Sequence, residues 1–157
     1  MRVGMGYDVH RLNEGFRCML GGVQIPFEQG LSGYSDADVL LHAICDALLG
    51  ASGLGDLGRW FPESDPRWQG ISSIVLLEEV AKQLWQNHFR VVNVDAVIIA
   101  EAPRIAPHAD RMKQNISRPL RIAPDAVNIK ATTNEGLGCI GRGEGIAAHA
   151  VCLLEKE

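Results

Sequence analysis

Apolar and polar residues change their period several times along this chain, and each change predicts an element. Residues 2–9 alternate and predict a short strand, and residues 18–26 predict a hairpin turning at Gly21-Gly22. Residues 28–34 contain two glycines and predict a loop. Leu40, Ile44, Ala47, Leu48 and Ala51 recur at helical spacing. They predict a helix that runs to about Ser52 and opens on a Ser35–Asp38 capping box. Asp38, His42 and Asp46 follow one another at steps of four, roughly opposite that apolar stripe. The stretch 53–66, dense in Gly, Pro and Asp, predicts an ordered loop. A second helix is predicted over about 71–87, with Val75, Leu77, Val80, Ala81 and Leu84 on its core face. Residues 91–100 predict a strand, apolar enough at Val97, Ile98 and Ile99 to be buried on both faces. A third helix over 106–117 is entered through Pro103 and Pro107, and strands at 127–132 and 145–154 complete the chain.

This order predicts an α/β or α+β sandwich, with helices packed on one face of a small sheet. The other sheet face then needs cover, which favours an oligomer. At 157 residues the chain is expected to form one domain, residues 1–157, with an ordinary core. A net charge of -4 argues against a nucleic-acid partner held by a basic surface. No apolar run approaches the ~20 residues of a membrane span. The first residues lack a basic-then-apolar signal, and Cys18, Cys45, Cys139 and Cys152 form no Cys-x-x-Cys pair. Reduced thiols and a cytoplasmic location are expected.

The chemistry starts at Asp8 and His10. An Asp-x-His pair on a strand puts both side chains on one face, and His42 from a helix would complete a three-residue ligand set. Three ligands leave one tetrahedral position open, as in catalytic zinc sites. A solvated polar helix face is the alternative for His42. Asp46, one turn on, is the candidate to orient a metal-binding imidazole. Residues 130–138 combine Lys130, the hydroxyls of Thr132 and Thr133, and glycines that admit a close phosphate. Glu135 is an oxygen ligand of the kind magnesium takes. A plain strand end and Gly-rich turn would explain the same stretch. Arg142 and Glu144 form either an anion clamp or a surface turn. His88, His108 and His149 have no ligand spacing, and Trp60, Trp68 and Trp85 read as packing residues. Metals with phosphate-binding hydroxyls point to phosphoryl transfer, and no Ser-His or Cys-His arrangement suggests a covalent nucleophile.

The stretches GYDVH, LGGVQIP, SDADVLLHAICDALLGA, GLGDLG, FPESDP, NVDAVIIAEAPR, VNIKATTNEGLG and GRGEGIAAHAV span nearly the whole chain. In order and spacing the chain resembles the 2-C-methyl-D-erythritol 2,4-cyclodiphosphate synthase family of the non-mevalonate isoprenoid pathway. The resemblance implies a cyclase. In that reaction the 2-phosphate of the substrate attacks the β-phosphate of its own cytidine diphosphate group, and CMP leaves. It also implies a four-stranded mixed sheet with helices on one face plus a β-hairpin. Three copies would surround a central channel, with active sites between subunits.

By the same resemblance, Asp8, His10 and His42 look like zinc ligands. Glu135 looks like the protein contact to magnesium or manganese on the substrate diphosphate. Thr133 resembles the residue that stabilises charge on that diphosphate, with Thr132 and Asn134 beside it. Val9 borders the substrate between two ligands, and Tyr34 and Ser35 match a mobile loop over it. Asp56, Leu57 and Gly58, with Phe61, Pro62, Glu63, Ser64 and Asp65, match segments holding the ribose and methylerythritol portions. Ala100, Glu101, Ala102, Pro103, Arg104, Ile105 and Ala106 match the cytidine pocket, where backbone groups read the base edge. Arg142 matches a second substrate-proximal position that also lies near the central channel, and Cys139 matches a substrate-side position near that channel.

Family members commonly carry His at the position of Tyr34, in a transition-state role. A phenol donates a hydrogen bond but is rarely charged near neutral pH, so loop closure is expected to survive without its charge. Met5 stands for a frequent non-ligand His, Cys139 for Phe and His149 for Glu. The last two disfavour the isoprenoid-diphosphate binding reported for some members. Two further readings are a zinc phosphohydrolase that releases linear products, and a non-catalytic metal- or nucleotide-binding module.

Overall fold

A computed structural model describes residues 1–156. The strands are β1 (Arg2–Glu14), β2 (Cys18–Leu20), β3 (Val23–Ile25), β4 (Gln29–Ser32), β5 (Phe89–Ile99), β6 (Val127–Thr132) and β7 (Gly145–Lys156). The helices are α1 (Val39–Ser52), α2 (Leu57–Trp60), α3 (Ser73–Gln86), α4 (Ala109–Leu120) and α5 (Gly138–Gly141). The main sheet is five-stranded and mixed, in the order β4-β1-β7-β5-β6, and β2 and β3 form the expected hairpin. Among the described residues β5 and β6 pair parallel, and the other pairs of this sheet are antiparallel.

The expected sandwich is the architecture observed, with one strand more than the four expected. The extra strand is β4, which pairs with residues 11–14 of a longer β1 and was expected to be loop. Gly30 reads as a loop signal, but it serves a close approach: a Cβ there would lie 2.2 Å from the main chain at Phe16.

Helix α1 also departs from expectation. Its N-cap is Asp38, whose carboxylate accepts from Leu41 N, so Ser35 is not the cap. The helix is buried almost all round, including Asp38 and His42, between the sheet and α3. The supposed polar face is therefore interior. On α3, Leu76 is buried in place of Val75, which is exposed. Along β5, Ile98 is fully buried while Val97 and Ile99 are half-buried on the other face, so the strand alternates.

Strand alternation divides β1 cleanly. Gly4, Gly6, Asp8, His10 and Leu12 face α1. Val3, Met5, Tyr7 and Val9 face outward and are 70%, 69%, 48% and 44% exposed, with Val151 of β7 45% exposed beside them. Burying one such side chain stabilises by roughly 1.5–3 kcal/mol. A contiguous apolar row of this kind marks an interaction face.

Candidate active site

Asp8 and His10 project from β1 toward α1, and His42 meets them from the first turns of that helix. Nε2 of His10 and Nδ1 of His42 each lie 2.9 Å from Oδ2 of Asp8 and 3.1 Å from one another. A tetrahedral zinc ion with bonds of roughly 2.0–2.1 Å needs ligand atoms about 3.3 Å apart. A slight outward relaxation of these side chains reaches that spacing, so the donor set fits such an ion. Burial would raise Asp8, but the hydrogen bonds and charge of the two imidazoles outweigh it and hold its pKa at about 2. His10 responds in the opposite sense: burial pulls it down, and the hydrogen bond to Asp8 overrides this and raises it.

The ring nitrogens that point away from this cluster are also engaged. Nδ1 of His10 donates to the Ser32 carbonyl at 2.9 Å, so the added strand β4 holds the imidazole. Nε2 of His42 lies 3.0 Å from both Ser35 Oγ and Ser73 Oγ. Ser73 Oγ donates in turn to Asp36, and Ser73 N donates to the same carboxylate at 3.0 Å.

The triad opens into a cleft of about 470 Å³. Tyr34, Ser35, Leu57, Gly58, Phe61, Pro62, Glu63 and Ser64 line it, as do Trp68 and Leu76. Phe61 and Trp68 meet edge to face at 5.0 Å. Tyr34 latches the rim: its hydroxyl donates to the Asp65 carbonyl at 3.3 Å, and its own carbonyl accepts from Gly70 N at 2.8 Å. Asp56 does not line this cleft but caps α2, accepting from Arg59 N, and the Asp65 carboxylate pairs with Arg67.

The remaining candidates sit elsewhere. Ala100, Glu101, Pro103, Arg104, Ile105 and Ala106 line a separate cavity of about 210 Å³ with Ala131, Thr132 and Thr133, and Ala102 adjoins it through its peptide bond to Pro103. Thr132 falls in the cross-strand row Val9, Ala147, Ile99, Thr132, which is the outward face. Asp8 falls in the row Asp8, Ala148, Ile98, Ala131, which faces the helices. Asp8 and Thr132 therefore point to opposite faces. They are three strand spacings apart, about 14 Å at ~4.8 Å each.

The chain is matched over residues 1–155 by the model of the YgbB family. It belongs to that family. A protein of Syntrophomonas wolfei named 2-C-methyl-D-erythritol 2,4-cyclodiphosphate synthase is 60% identical over 99% of both chains. A Thiobacillus denitrificans protein of the same name is 62% identical over 99% of this chain and 98% of its own. A CDP-bound structure of 2C-methyl-D-erythritol-2,4-cyclodiphosphate synthase superposes with a TM-score of 0.90 at 37% identity, covering 98% of this chain and 100% of that one. The bifunctional IspDF of Campylobacter jejuni superposes with a TM-score of 0.95 at 37% identity. There the match covers 99% of this chain but spans only 42% of the longer protein.

Within this YgbB-family chain, several residues behave otherwise than expected. Among the described residues Asp46 makes no hydrogen bond to an imidazole: its Oδ1 accepts from Leu57 N at 2.7 Å and so fixes the start of α2. Burial raises its pKa. Lys130 is not a free cation, because it pairs with Asp95 and holds that carboxyl below its usual range. Arg142 donates to Glu144 at 2.6 Å in an exposed turn, while Cys139 lines a different small cavity with Val9 and His10. Trp60 and Trp85 are packing residues as expected, the first donating to the Leu54 carbonyl and the second stacked under Arg121. Trp68, by contrast, is a wall of the cleft. Sequence reading also missed Ser73 and Asp36. Ser73 looks like an ordinary helix opener, and its partners lie 31 and 37 residues away.

Proposed function

We propose that this chain cyclises 4-diphosphocytidyl-2-C-methyl-D-erythritol 2-phosphate to 2-C-methyl-D-erythritol 2,4-cyclodiphosphate with release of CMP. The observation that carries the proposal is the Asp8/His10/His42 cluster, whose ligand atoms all lie within 4.8 Å at the floor of a cleft. Full-length likeness to proteins bearing that enzyme name, including one solved with CDP, supports the substrate class.

In the reaction an oxygen of the 2-phosphate attacks the β-phosphorus, and the bond from that phosphorus to the bridging oxygen breaks. CMP departs with the bridging oxygen, so atoms balance without water. The triad would hold zinc, and Glu135 would contact magnesium or manganese on the diphosphate. Such ions supply charge neutralisation and alignment of the attacking and leaving oxygens. The chain's own part is positioning. Apolar walls from Leu57, Phe61, Trp68 and Leu76 hold the methylerythritol portion and keep water from the phosphorus. Tyr34 closes the rim, and the Thr133 hydroxyl steadies charge on the diphosphate. Asp8 stays ionised near neutral pH, as a cation ligand must.

The working unit in this proposal is a homotrimer of the single domain, its outward sheet faces turned to a common axis. One chain then contributes the triad and cleft, and its neighbour contributes Glu101, Arg104, Thr132, Thr133, Asn134 and Glu135. The exposed Val3, Met5 and Val151, and the opposed directions of Asp8 and Thr132, support this arrangement. Among the described residues no helix is long and apolar enough to cross a membrane, which fits a cytoplasmic enzyme.

Incubation of the pure protein with substrate, zinc and magnesium, followed by phosphorus NMR, tests the proposal. Equimolar CMP and cyclic diphosphate are the expected products. Linear products carrying solvent oxygen would identify a phosphohydrolase, and no turnover would leave only a binding module.

A further inference from the structure

The two histidines of the triad present different ring nitrogens to it, Nε2 from His10 and Nδ1 from His42. Each must offer a lone pair there, so each must carry its proton on the other nitrogen. For His10 the choice is made by the Ser32 carbonyl, which can only accept. His42 has no such neighbour. Its Nε2 faces two hydroxyls, Ser35 Oγ and Ser73 Oγ, and a hydroxyl can accept or donate.

Asp36 removes that ambiguity. Its carboxylate can only accept, and it takes both the hydroxyl and the backbone N–H of Ser73. With its proton committed to Asp36, Ser73 Oγ turns a lone pair toward His42 Nε2. We propose that Ser73 and Asp36 are positioning residues for the metal site, a relay that keeps the proton on Nε2 of His42 and leaves Nδ1 free to bind the ion. This rests on the zinc reading given above.

Its frame is rigid at one end. Ser73 is fully buried and opens α3, while Asp36 also accepts from Asp38 N at 3.2 Å and has its own N–H bonded to Ile71 O. Ser35 is the weaker partner, because it lies in the segment over the cleft and no carboxylate orients it. Both lone-pair sides of the Asp36 carboxylate are used, so an amide cannot replace it. Asparagine would set its NH2 against either the Ser73 N–H or the Ser73 hydroxyl. In the second case Ser73 would turn its own proton on Nε2 and drive the His42 proton toward Nδ1.

Zinc affinity, measured by chelator competition on the full chain, tests the relay without reference to turnover. Ser73→Ala and Asp36→Asn are each expected to weaken zinc binding about 10- to 100-fold while circular dichroism stays as in wild type. In the zinc-loaded wild type the His42 Hε2 proton should give a slowly exchanging NMR signal, and this should be lost to exchange in Ser73→Ala. Wild-type binding with both variants within twofold of it would overturn the relay alone. A wild type that binds no zinc would overturn the metal reading and the relay together. Should Ser73→Ala fail to fold, Asp36→Asn and the wild-type Hε2 signal still decide, since a rapidly exchanging Hε2 contradicts a buried acceptor.

Discussion

A Cβ on Gly6 would lie 1.9 Å from the carbonyl oxygen of Ala43, so β1 and α1 touch here through bare backbone. Gly4 makes the same approach to Ala47. Asp8 is two residues beyond Gly6 and His42 is one residue before Ala43. The closeness of strand and helix is thus what brings the carboxylate and the imidazole within 2.9 Å.

Gly6→Ala should therefore disable the site and the fold together. Overpacking costs about 1–3 kcal/mol where side chains can yield. Here the obstacle is backbone, and a loss of at least about 3 kcal/mol is expected. Urea denaturation should show the lower midpoint, and chelator competition should show weakened zinc binding in any folded fraction.

Asp38 gives a pH dependence with a definite sign. It is fully buried, and burial outweighs hydrogen bonds from Gly22, Leu41 and Gly21 to raise its pKa to about 6. A carboxyl raised above its unfolded value near 3.9 stabilises the fold below that value, and the contribution is lost as pH rises through about 6. Asparagine does not titrate there and also loses the bond to Gly22 N. Wild type should thus exceed Asp38→Asn in stability by more at pH 4 than at pH 7.5, the difference shrinking by up to ~3 kcal/mol. Paired urea titrations across that range measure it, and a difference growing with pH would contradict the sign.

Glu101 brackets the turn that carries Glu135. Its Oε1 accepts from Asn134 N at 2.8 Å and from Gly136 N at 3.3 Å, and Glu135 between them holds the left-handed φ of 53° that disfavours its side chain. Glu101→Ala should lower kcat/KM about tenfold, as expected from losing roughly 1.4 kcal/mol of positioning. Glu101→Gln keeps a carbonyl oxygen able to accept both bonds and should retain most activity. Steady-state kinetics on the pair, with melting temperatures as control, separate a positioning role from a need for the charge.

His42→Ala should lose zinc and activity while keeping its fold. The side chain is buried but stands at the cleft wall, so its removal enlarges the cleft rather than sealing a void. Glu135→Ala should be inactive for a separate reason. If neighbouring chains share a site, dissociating and reassembling the two variants together should restore part of the activity, because some mixed interfaces contain both intact halves. No recovery in mixed trimers identified by native mass spectrometry would refute the shared site.

Local order was legible in the residues because it depends on neighbours in the chain. Alternation located β1, an apolar run located β5, helical spacing located α1 and α3, Pro103 and Pro107 marked the entry to α4, and Gly21-Gly22 located the hairpin. Asp8 and His10 were legible as a pair for the same reason, since two residues along a strand return to the same face. The need to cover one sheet face was legible too, and the exposed apolar row of β1 is where that need falls.

Tertiary structure decided whatever depends on distant partners. Spacing left a solvated face open as an alternative for the polar positions of α1, yet the β2–β3 hairpin meets Asp38 through Gly21 N and Gly22 N, and Ser73 of α3 meets His42. Asp46 had the right offset from His42 to orient a ring, but its carboxylate is taken by Leu57 N, a partner eleven residues on that the helix spacing does not reveal. β4 was hidden because its glycine is a turn signal locally and a close-contact residue only once Phe16 lies beside it. Thr132 and Asp8 illustrate the limit most plainly. Each strand shows by itself which residues share a face, but only the pairing register across β7 and β5 tells which of those faces coincide, and it turns these two away from one another.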